Sequence, residues 1–367
     1  MKRMKKLTWL FNPAICLVLY SVNSLQAQQD TLKKSSISVS GFIDVFYAYD
    51  FNKPSTPYRQ PFFFHHNRHN EFNLNHVIAR LSVNNKQYRV NMALHAGSYV
   101  QDNYANEPEL LKNIFEANAG LSLNPYSTLW FDAGIFASHI GFESAISSEN
   151  WTLTRSLLAD NSPYYFTGAK LTYTPNDRWI AVGLIYNGWQ RIQRLAGNSL
   201  PSFGTQLRFS PNKDIIINWS TFIGTESPDS TRKMRYFNNF YLQQSLSEKV
   251  GLIAGFDIGT EQQFKNNASY FIWYAYSLIL KHQLTEQFSY AIRAEYYSDK
   301  NNVIIPIESG ERFRSQGFSI TIDYAPVENV MLRIESRWLK SPQPLFLSKN
   351  QRLTDNFFLV TSIAVKI

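Results

Sequence analysis

Ionisable side chains recur at alternate positions in many stretches of this 367-residue chain, where they could line a water-filled passage. The candidate pore-lining residues are Asp44, Arg80, Arg89, His95, Glu116, Asp132, Lys170, Arg208, Asp257, Lys281, Arg293, Glu295, Asp323, Arg333, Glu335 and Arg337. A ring of one charge sign would predict ion selectivity. Because the two signs nearly balance, we expect weak selectivity at most. Most of these groups could instead pair across strands and stiffen a wall, and the sequence leaves that alternative open.

A long polar segment at 140–160 carries four further candidates, Glu143, Glu149, Trp151 and Arg155. If this segment folds into the passage, Glu143 and Arg155 would face basic groups of the wall and form a constriction. If it stays outside, it would be an external lid that no solute touches. The sequence does not distinguish between these two arrangements.

Metal and catalytic chemistry have little support in the sequence. His65, His66 and His69 lie close together, and histidine clusters can bind zinc or copper. Only one acid, Glu71, and no cysteine lies near them, so we expect a surface loop and no metal. A lipase-type site would need a serine and a histidine converging on an outer wall, but His95 has the parity of the inner face. We therefore predict no cofactor and no enzyme.

The segments that carry these side chains alternate with period two, as in 89–97 (RVNMALHAG), 179–186 (WIAVGLIY) and 318–324 (FSITIDY). Such alternation over about ten residues is typical of transmembrane barrel strands. An arginine that faces lipid at mid-bilayer costs about 2–4 kcal/mol, so the charged face is expected to turn inward and the apolar face to lipid. In 179–186 this rule puts Ile180, Val182, Leu184 and Tyr186 on the lipid side. A soluble secreted β-sandwich would also alternate and is the less favoured alternative.

Short turn signals alternate with longer polar stretches at 50–70, 98–112, 139–163, 188–201, 226–235, 262–267, 299–313 and 340–353. Short connections at one end and long loops at the other are typical of outer-membrane barrels. We predict an all-β fold: a transmembrane, antiparallel, up-and-down β-barrel of about 16 strands, between about 14 and 18, with short periplasmic turns and long extracellular loops. The C-terminal stretch TDNFFLVTSIAVKI is expected to close it against the first strand, near 37–49.

The N-terminal residues have the order of a secretory signal peptide: a basic start, an apolar stretch from about 7 to 20, and a small polar run. We expect residues 1–27 to be cleaved, 28–36 to form a short periplasmic lead, and 37–367 to form the single barrel domain. Without the four basic residues of this leader, the 36 Lys and Arg fall to 32 against 28 Asp and Glu, which leaves +4 in place of +8. We draw no nucleic-acid inference from that charge.

Several motifs resemble the OmpL-like β-barrel porins of double-membraned bacteria. They occur in 41–54 (GFIDVFYAYDFNKP), 68–83 (RHNEFNLNHVIARLSV) and 131–192. The residues that carry the resemblance are Gly41, Asp44, Tyr47, Tyr49, Asn70, Phe72, Asn73, Gly134, Gly141, Glu143, Asn150, Arg155, Ser156, Pro163, Thr167, Gly168, Asn187, Gly188 and Trp189. The resemblance implies an outer-membrane barrel that passes small solutes. One departure is Ile367, because barrel proteins commonly end in an aromatic residue.

Together these observations predict an outer-membrane porin through which small hydrophilic solutes diffuse passively, in a polar lumen narrowed by inward-folded loops. The expected partners are outer-membrane lipid and those solutes, with a possible homotrimer. An adhesion or binding scaffold that acts through its extracellular loops is the alternative, and a barrel enzyme is a third reading.

Overall fold

Sixteen antiparallel strands close into one barrel in the computed structural model, which describes residues 35–307 and 310–367. The predicted leader, 1–27, and the lead as far as 34 lie outside the described residues. Residues Ile37–Ile367 form one compact unit. The strands are β1 Ser36–Asp50, β2 Phe72–Asn84, β3 Tyr88–Ala96, β4 Ile114–Ser122, β5 Leu129–Ala137, β6 Tyr165–Asn176, β7 Trp179–Tyr186, β8 Ser202–Phe209, β9 Ile215–Thr225, β10 Met234–Ser245, β11 Val250–Gln262, β12 Tyr270–Gln283, β13 Phe288–Asp299, β14 Phe313–Val327, β15 Val330–Lys340 and β18 Asp355–Lys366.

Each strand pairs with its neighbour in the chain, so the predicted up-and-down antiparallel barrel is confirmed. The one interruption is a small hairpin, β16 (Phe346–Leu347) and β17 (Arg352–Leu353), which lies in the last long loop. The C-terminal strand β18 lies between β15 and β1, as predicted. Gly41 and Ile367 exchange both backbone hydrogen bonds at this seam, at 2.8 and 2.9 Å.

The connections alternate in length around the barrel. Seven short turns of two to six residues join β2 to β3, β4 to β5, and so on to β14 and β15 at one end. The longer loops lie at the other end. Since the short turns of such barrels face the periplasm, we call these the periplasmic and extracellular ends.

Large apolar side chains cover the outside of the barrel, as expected for strands whose outer face contacts lipid. On β12, Ile272, Tyr274, Tyr276, Leu278 and Leu280 are all exposed on this outer face, whereas the alternate residues are buried inside. The alternate strand positions that carry the charged residues therefore face inward, in agreement with the cost of exposing charge to lipid.

Strand β7 is an exception and corrects one expectation. Its inner face carries Ile180, Val182, Leu184 and Tyr186, the residues that the sequence placed toward lipid. Both faces of β7 are apolar, so alternation alone could not orient it. The register decides, because Lys170 of β6 lies opposite Leu184 and Arg208 of β8 lies opposite Ile180.

The described helices are short and lie in loops. Helix α1 (Ser98–Asn103) follows β3, and α2 (Leu157–Asp160) precedes β6. Two 3-10 turns lie at Leu111–Asn113 and Ser147–Glu149. Within residues 35–307 and 310–367, no helix is both long and apolar enough to cross a membrane.

Candidate functional site

Residues 138–164, here called the inward loop, leave the end of β5 and fold into the barrel. The loop crosses the interior to the opposite wall, where Arg333 of β15 holds its backbone. Arg333 donates from Nη1 to the Ser147 carbonyl at 2.7 Å and from Nη2 to the Asn150 carbonyl at 3.1 Å. The same guanidinium pairs with Asp323 at 2.7 Å. The loop is therefore fixed inside the lumen and is not an external lid.

A buried network of charges, here called the charge seam, fixes the middle of the inward loop. It consists of Arg293, Glu295, Glu335 and Arg337 on β13 and β15. Glu335 accepts hydrogen bonds from the Thr154 backbone N at 2.7 Å and from its hydroxyl at 2.6 Å. Arg293 donates to the Thr154 carbonyl at 2.6 Å and to Glu335 at 2.8 Å.

The second arginine of the charge seam, Arg337, donates to the Arg155 carbonyl at 2.9 Å and to Glu295 at 2.8 Å. Glu295 in turn accepts from the Leu157 backbone N at 2.7 Å. All four charged side chains of the seam are buried. Each charge thus has an opposite charge and a loop group as partners, which is the condition under which buried charges are tolerated.

Two glycines of β11 form recesses for aromatic side chains of the inward loop. A Cβ on Gly251 would lie 2.5 Å from the ring of Trp151, and one on Gly255 would lie 2.3 Å from the ring of Phe142. No side chain other than hydrogen fits there without moving the loop. The sequence showed both glycines but gave no sign that a loop would seat against them.

The four constriction candidates lie at different depths in the lumen. Glu143 is half-buried and accepts from the Ser156 backbone N at 3.1 Å, whereas Arg155 is fully buried and donates to the Leu153 carbonyl at 3.2 Å. Trp151 packs against β11. Glu149 lies near the periplasmic end, 3.9 Å from Lys366. Glu143 therefore lies beside the segment that carries Arg155, whereas Trp151 and Glu149 contact other parts of the wall.

The histidine stretch corrects the expectation of a surface loop. His65 and His66 are buried, because residues 51–71 also fold into the barrel. His66 Nε2 lies 2.9 Å from Asp44, and His65 Nδ1 lies 3.0 Å from Asp160. These carboxylates are distant in sequence, which is why local composition did not reveal them. The described residues contain no cluster of three or more His, Cys, Asp or Glu side chains arranged to hold a metal ion.

Near the extracellular end, a continuous set of buried apolar side chains, here called the apolar layer, crosses the interior. Its strand members include Phe46, Phe166, Phe222, Phe237, Trp273 and Phe358. Its loop members include Phe62, Phe63, Leu153, Leu157, Ile305 and Phe346. Because aromatic side chains bury large areas, the layer strongly favours the inward position of these loops.

On the periplasmic side of the apolar layer lies the lower cavity, of about 500 Å³. The walls of β3 to β8 line it, with Arg89, Glu116, Asp132 and Lys170 among the lining residues. Arg89 donates to Asp132 at 2.6 and 2.5 Å. Glu116 pairs with Arg80 at 3.4 Å.

On the extracellular side lies the upper cavity, of about 380 Å³. Trp189, Arg191, Glu226 and Arg235 are among its lining residues, and Arg191 pairs with Glu226 at 3.0 Å. The two cavities share no lining residue. Leu184, which lines the lower cavity, is also a member of the apolar layer.

Every predicted pore-lining residue lies on the inner face of its strand, but many are covered. The covered residues are Asp44, His95, Asp257, Arg293, Glu295, Asp323, Arg333, Glu335 and Arg337. The expectation that these nine border open water is corrected for this arrangement of the loops. Arg80, Arg89, Glu116, Lys170, Arg208 and Lys281 are partly exposed, and Asp132, although buried, is among the residues of the lower cavity. That these residues line the solute path remains a prediction.

Sequence reasoning missed the polar loop groups that bind the covered charges. Thr154 bonds both Glu335 and Arg293, and His66 bonds Asp44. The available signal was the large number of charged residues on the inner faces of β13 to β15, because buried charges require partners. Nothing in a single sequence indicated which loop would supply them.

A family profile described as "Putative beta-barrel porin-2, OmpL-like" matches residues 36–367. A search of curated proteins gives no match. Among solved structures, the anion-selective porin from Comamonas acidovorans is similar, with a TM-score of 0.60 and 9% identity, over 91% of this chain and 100% of that chain.

Two further channels have a similar fold. The outer-membrane channel DcaP of Acinetobacter baumannii matches with a TM-score of 0.60 and 9% identity, over 91% of this chain and 97% of that one. OprB of Pseudomonas putida matches with a TM-score of 0.57 and 8% identity, over 95% and 97%. At these identities the likeness shows the fold alone.

Proposed function

We propose a route by which solutes cross this chain, which belongs to the family of OmpL-like β-barrel porins. The protein is a porin of the outer membrane, and small hydrophilic solutes diffuse passively through its lumen. Its inward-folded loops narrow that lumen. The route follows the walls of β3 to β10, because Phe142, Trp151 and residues 152–157 of the inward loop are bound to the opposite walls, β11 to β15.

The observation that carries this route is the position of the two cavities. The lower cavity borders β3 to β8, and the upper cavity includes Trp189 and Arg235. On the other side of the barrel, Arg293, Arg333 and Arg337 are covered by the inward loop. We therefore assign the pore-lining role to Arg80, Arg89, Glu116, Asp132, Lys170 and Arg208.

Conductance in planar bilayers, measured with a panel of salts and sugars, tests the proposed function. We expect discrete current steps in salt and swelling of protein-containing liposomes in small sugars. Reversal potentials in a salt gradient should be small, since most lumen charges are paired. A folded, inserted protein that gives neither current nor swelling above empty liposomes would refute the porin role.

We also propose that the barrel has no catalytic centre. The buried charges at its core, Arg293 and Glu335, are bound to each other and to loop groups, as in a structural network. A lipase assay on the folded protein tests this, and turnover above that of heat-unfolded protein would overturn it. An adhesion scaffold is less supported, because two of the longest loops, 51–71 and 138–164, fold inside.

Two finer features of the family context are proposals for this chain. We propose that residues 1–27 are removed during export, which the N-terminal mass of protein isolated from membranes would show. We also propose a homotrimer. The support is that one structure of similar fold, OmpT of Vibrio cholerae, is described in a trimer form. Native mass spectrometry of the detergent complex tests it, and a monomer at all protein concentrations would contradict it.

A further inference from the structure

The inner face of β7 is apolar where it borders the lower cavity, although the other residues that line this cavity are mostly polar. Ile180, Val182 and Leu184 line the lower cavity beside polar residues such as Thr172 and Gln206. Water in a porin lumen contacts polar walls at lower cost than apolar ones. An apolar strip that borders this cavity therefore needs an explanation other than lipid contact.

The apolar inner face of β7 continues from the lower cavity into the apolar layer. Leu184 and Tyr186 belong to the layer, and Val182 packs against it. From Tyr186 the contacts extend to Phe222 of β9, with ring centroids 5.9 Å apart, and from Phe222 to Trp189 at 4.9 Å. We call Ile180, Val182, Leu184, Tyr186, Phe222 and Trp189 the apolar track. It joins the two cavities, because Ile180 lines the lower one and Trp189 lines the upper one.

Two basic side chains lie on the strands beside β7, on its inner side, without an ion-pair partner. Lys170 lies opposite Leu184 and Arg208 lies opposite Ile180 in the strand register. The acids near them, Asp132 and Glu116, are already paired with Arg89 and Arg80. Among the described residues, neither Lys170 nor Arg208 forms an ion pair. This wall therefore has surplus positive charge next to an apolar surface.

We propose that the β6–β8 wall of the lower cavity binds amphipathic organic anions, solutes with a short apolar body and a carboxylate or similar head. The head binds at Lys170, which lines the cavity, and the body lies along Val182 and Ile180. A cavity of about 500 Å³ is within the size range of small-molecule sites. The inference rests on the proposed function, since it names the solute class of the same route.

Binding in lipid nanodiscs, with empty discs as the blank, tests this site directly. The probes are acetate, butyrate, hexanoate and neutral hexanol, measured by isothermal titration. We expect affinity to rise from acetate to hexanoate, by at most about fourfold for each methylene that leaves water. Hexanol should bind more weakly than hexanoate. Equal affinity for acetate and hexanoate would overturn the proposal.

Four variants separate charge from apolar contact. Lys170→Gln should weaken hexanoate binding at least threefold, whereas Lys281→Gln, the same change on β12, should leave it within twofold. Val182→Thr should lower the hexanoate-to-acetate affinity ratio. Thr172→Val, at the position opposite Val182, should raise it. Each variant is first checked for the folded mobility of an unheated barrel on gels. Equal losses in Lys170→Gln and Lys281→Gln would contradict a localised site.

Conductance distinguishes failure of this inference from failure of the proposed function. A protein that conducts salt but shows no chain-length dependence in nanodiscs is a porin without this site. A protein that shows the chain-length dependence but conducts nothing has the site without the porin route. Only the combination of salt current and preferential hexanoate binding supports both.

Discussion

At the scale of single residues, this lumen is organised by buried charges that would be unfavourable if left alone. Arg293 and Glu335 are 0% exposed, yet each has an opposite charge and a group of the inward loop within hydrogen-bond distance. Removing one member leaves the other with one counter-ion fewer in a dry environment. The charges thus fix the position of the loop, because only this position satisfies them.

We predict that Glu335→Gln lowers the free energy of unfolding by roughly 3 kcal/mol, the scale of breaking a buried ion pair. The amide keeps the size of the side chain but leaves Arg293 short of a negative partner and presents an N–H to the Thr154 backbone N. Urea unfolding followed by tryptophan fluorescence measures the change. Glu286→Gln, in an exposed periplasmic turn, is the control and should have no effect. Equal midpoints for the two variants would contradict the structural role of the charge seam.

A second single residue, His139, should make the stability of the barrel depend on pH. It lies two residues after the end of β5. Its Nε2 donates to the Thr221 carbonyl at 3.0 Å. Burial, helped by the charge of Lys170 and opposed by that hydrogen bond, lowers the pKa of His139 to about 4. An unfolded histidine has a pKa of about 6.5, so the unfolded chain binds more protons between these values. The stability contributed by neutral His139 is therefore complete above about pH 6.5 and is lost as the pH falls toward 4.

We expect His139→Gln to reduce the acid sensitivity of the barrel. In wild type the urea midpoint should fall between pH 7.5 and pH 4.5, and in the variant the fall should be smaller. Other buried histidines remain in both proteins, so the difference between the two pH profiles isolates this residue. Parallel profiles would show that His139 does not contribute.

At the scale of elements, the inward loop and strand β11 are matched in shape. Gly251 and Gly255 remove two side chains from the inner face of β11, and Trp151 and Phe142 occupy the space. The loop is thus held by shape on β11 and by charge on β13 and β15.

Gly255→Ala should displace Phe142, because the added Cβ would lie 2.3 Å from its ring. We expect the inward loop to loosen and the single-channel conductance to increase, while the barrel still folds. Gly183→Ala is the matched control, since a Cβ there meets nothing within 4 Å. Bilayer recordings compare the two variants with wild type. If both variants conduct like wild type, the packing of Phe142 against β11 does not control the width of the lumen.

At the scale of the whole molecule, closure depends on β18, which pairs with β15 on one side and β1 on the other. An open seam would leave two rows of backbone N–H and C=O groups unpaired in lipid, where each unsatisfied group costs several kcal/mol. The final strand therefore completes the wall, and the last residue, Ile367, still bonds to Gly41.

Removal of residues 363–367 should prevent stable closure. We expect loss of the compact, heat-sensitive gel mobility of the folded barrel and increased protease sensitivity. Ile367→Phe, which keeps the backbone pairing with Gly41, is the control and should close normally. A truncated chain that keeps the folded mobility on gels would show that closure of the barrel tolerates a shortened β18.

The sequence by itself determined the barrel, its approximate strand number, the ends at which turns and loops lie, and the inward direction of the charged parity. These follow from local alternation, since lipid on one side and water on the other impose a period of two on each strand. It failed at β7, because both faces are apolar and the orientation depends on the register with Lys170 and Arg208.

Only the tertiary structure decided how the lumen is filled. The partners of Glu335, Asp44 and His65 lie 181, 22 and 95 residues away in the chain. Pairing at such separations depends on where a long loop meets the far wall, and local sequence patterns do not encode that meeting. The covered charges, the apolar layer and the two separate cavities all follow from it, because the loops that enter the barrel replace water as the partner of its inner face.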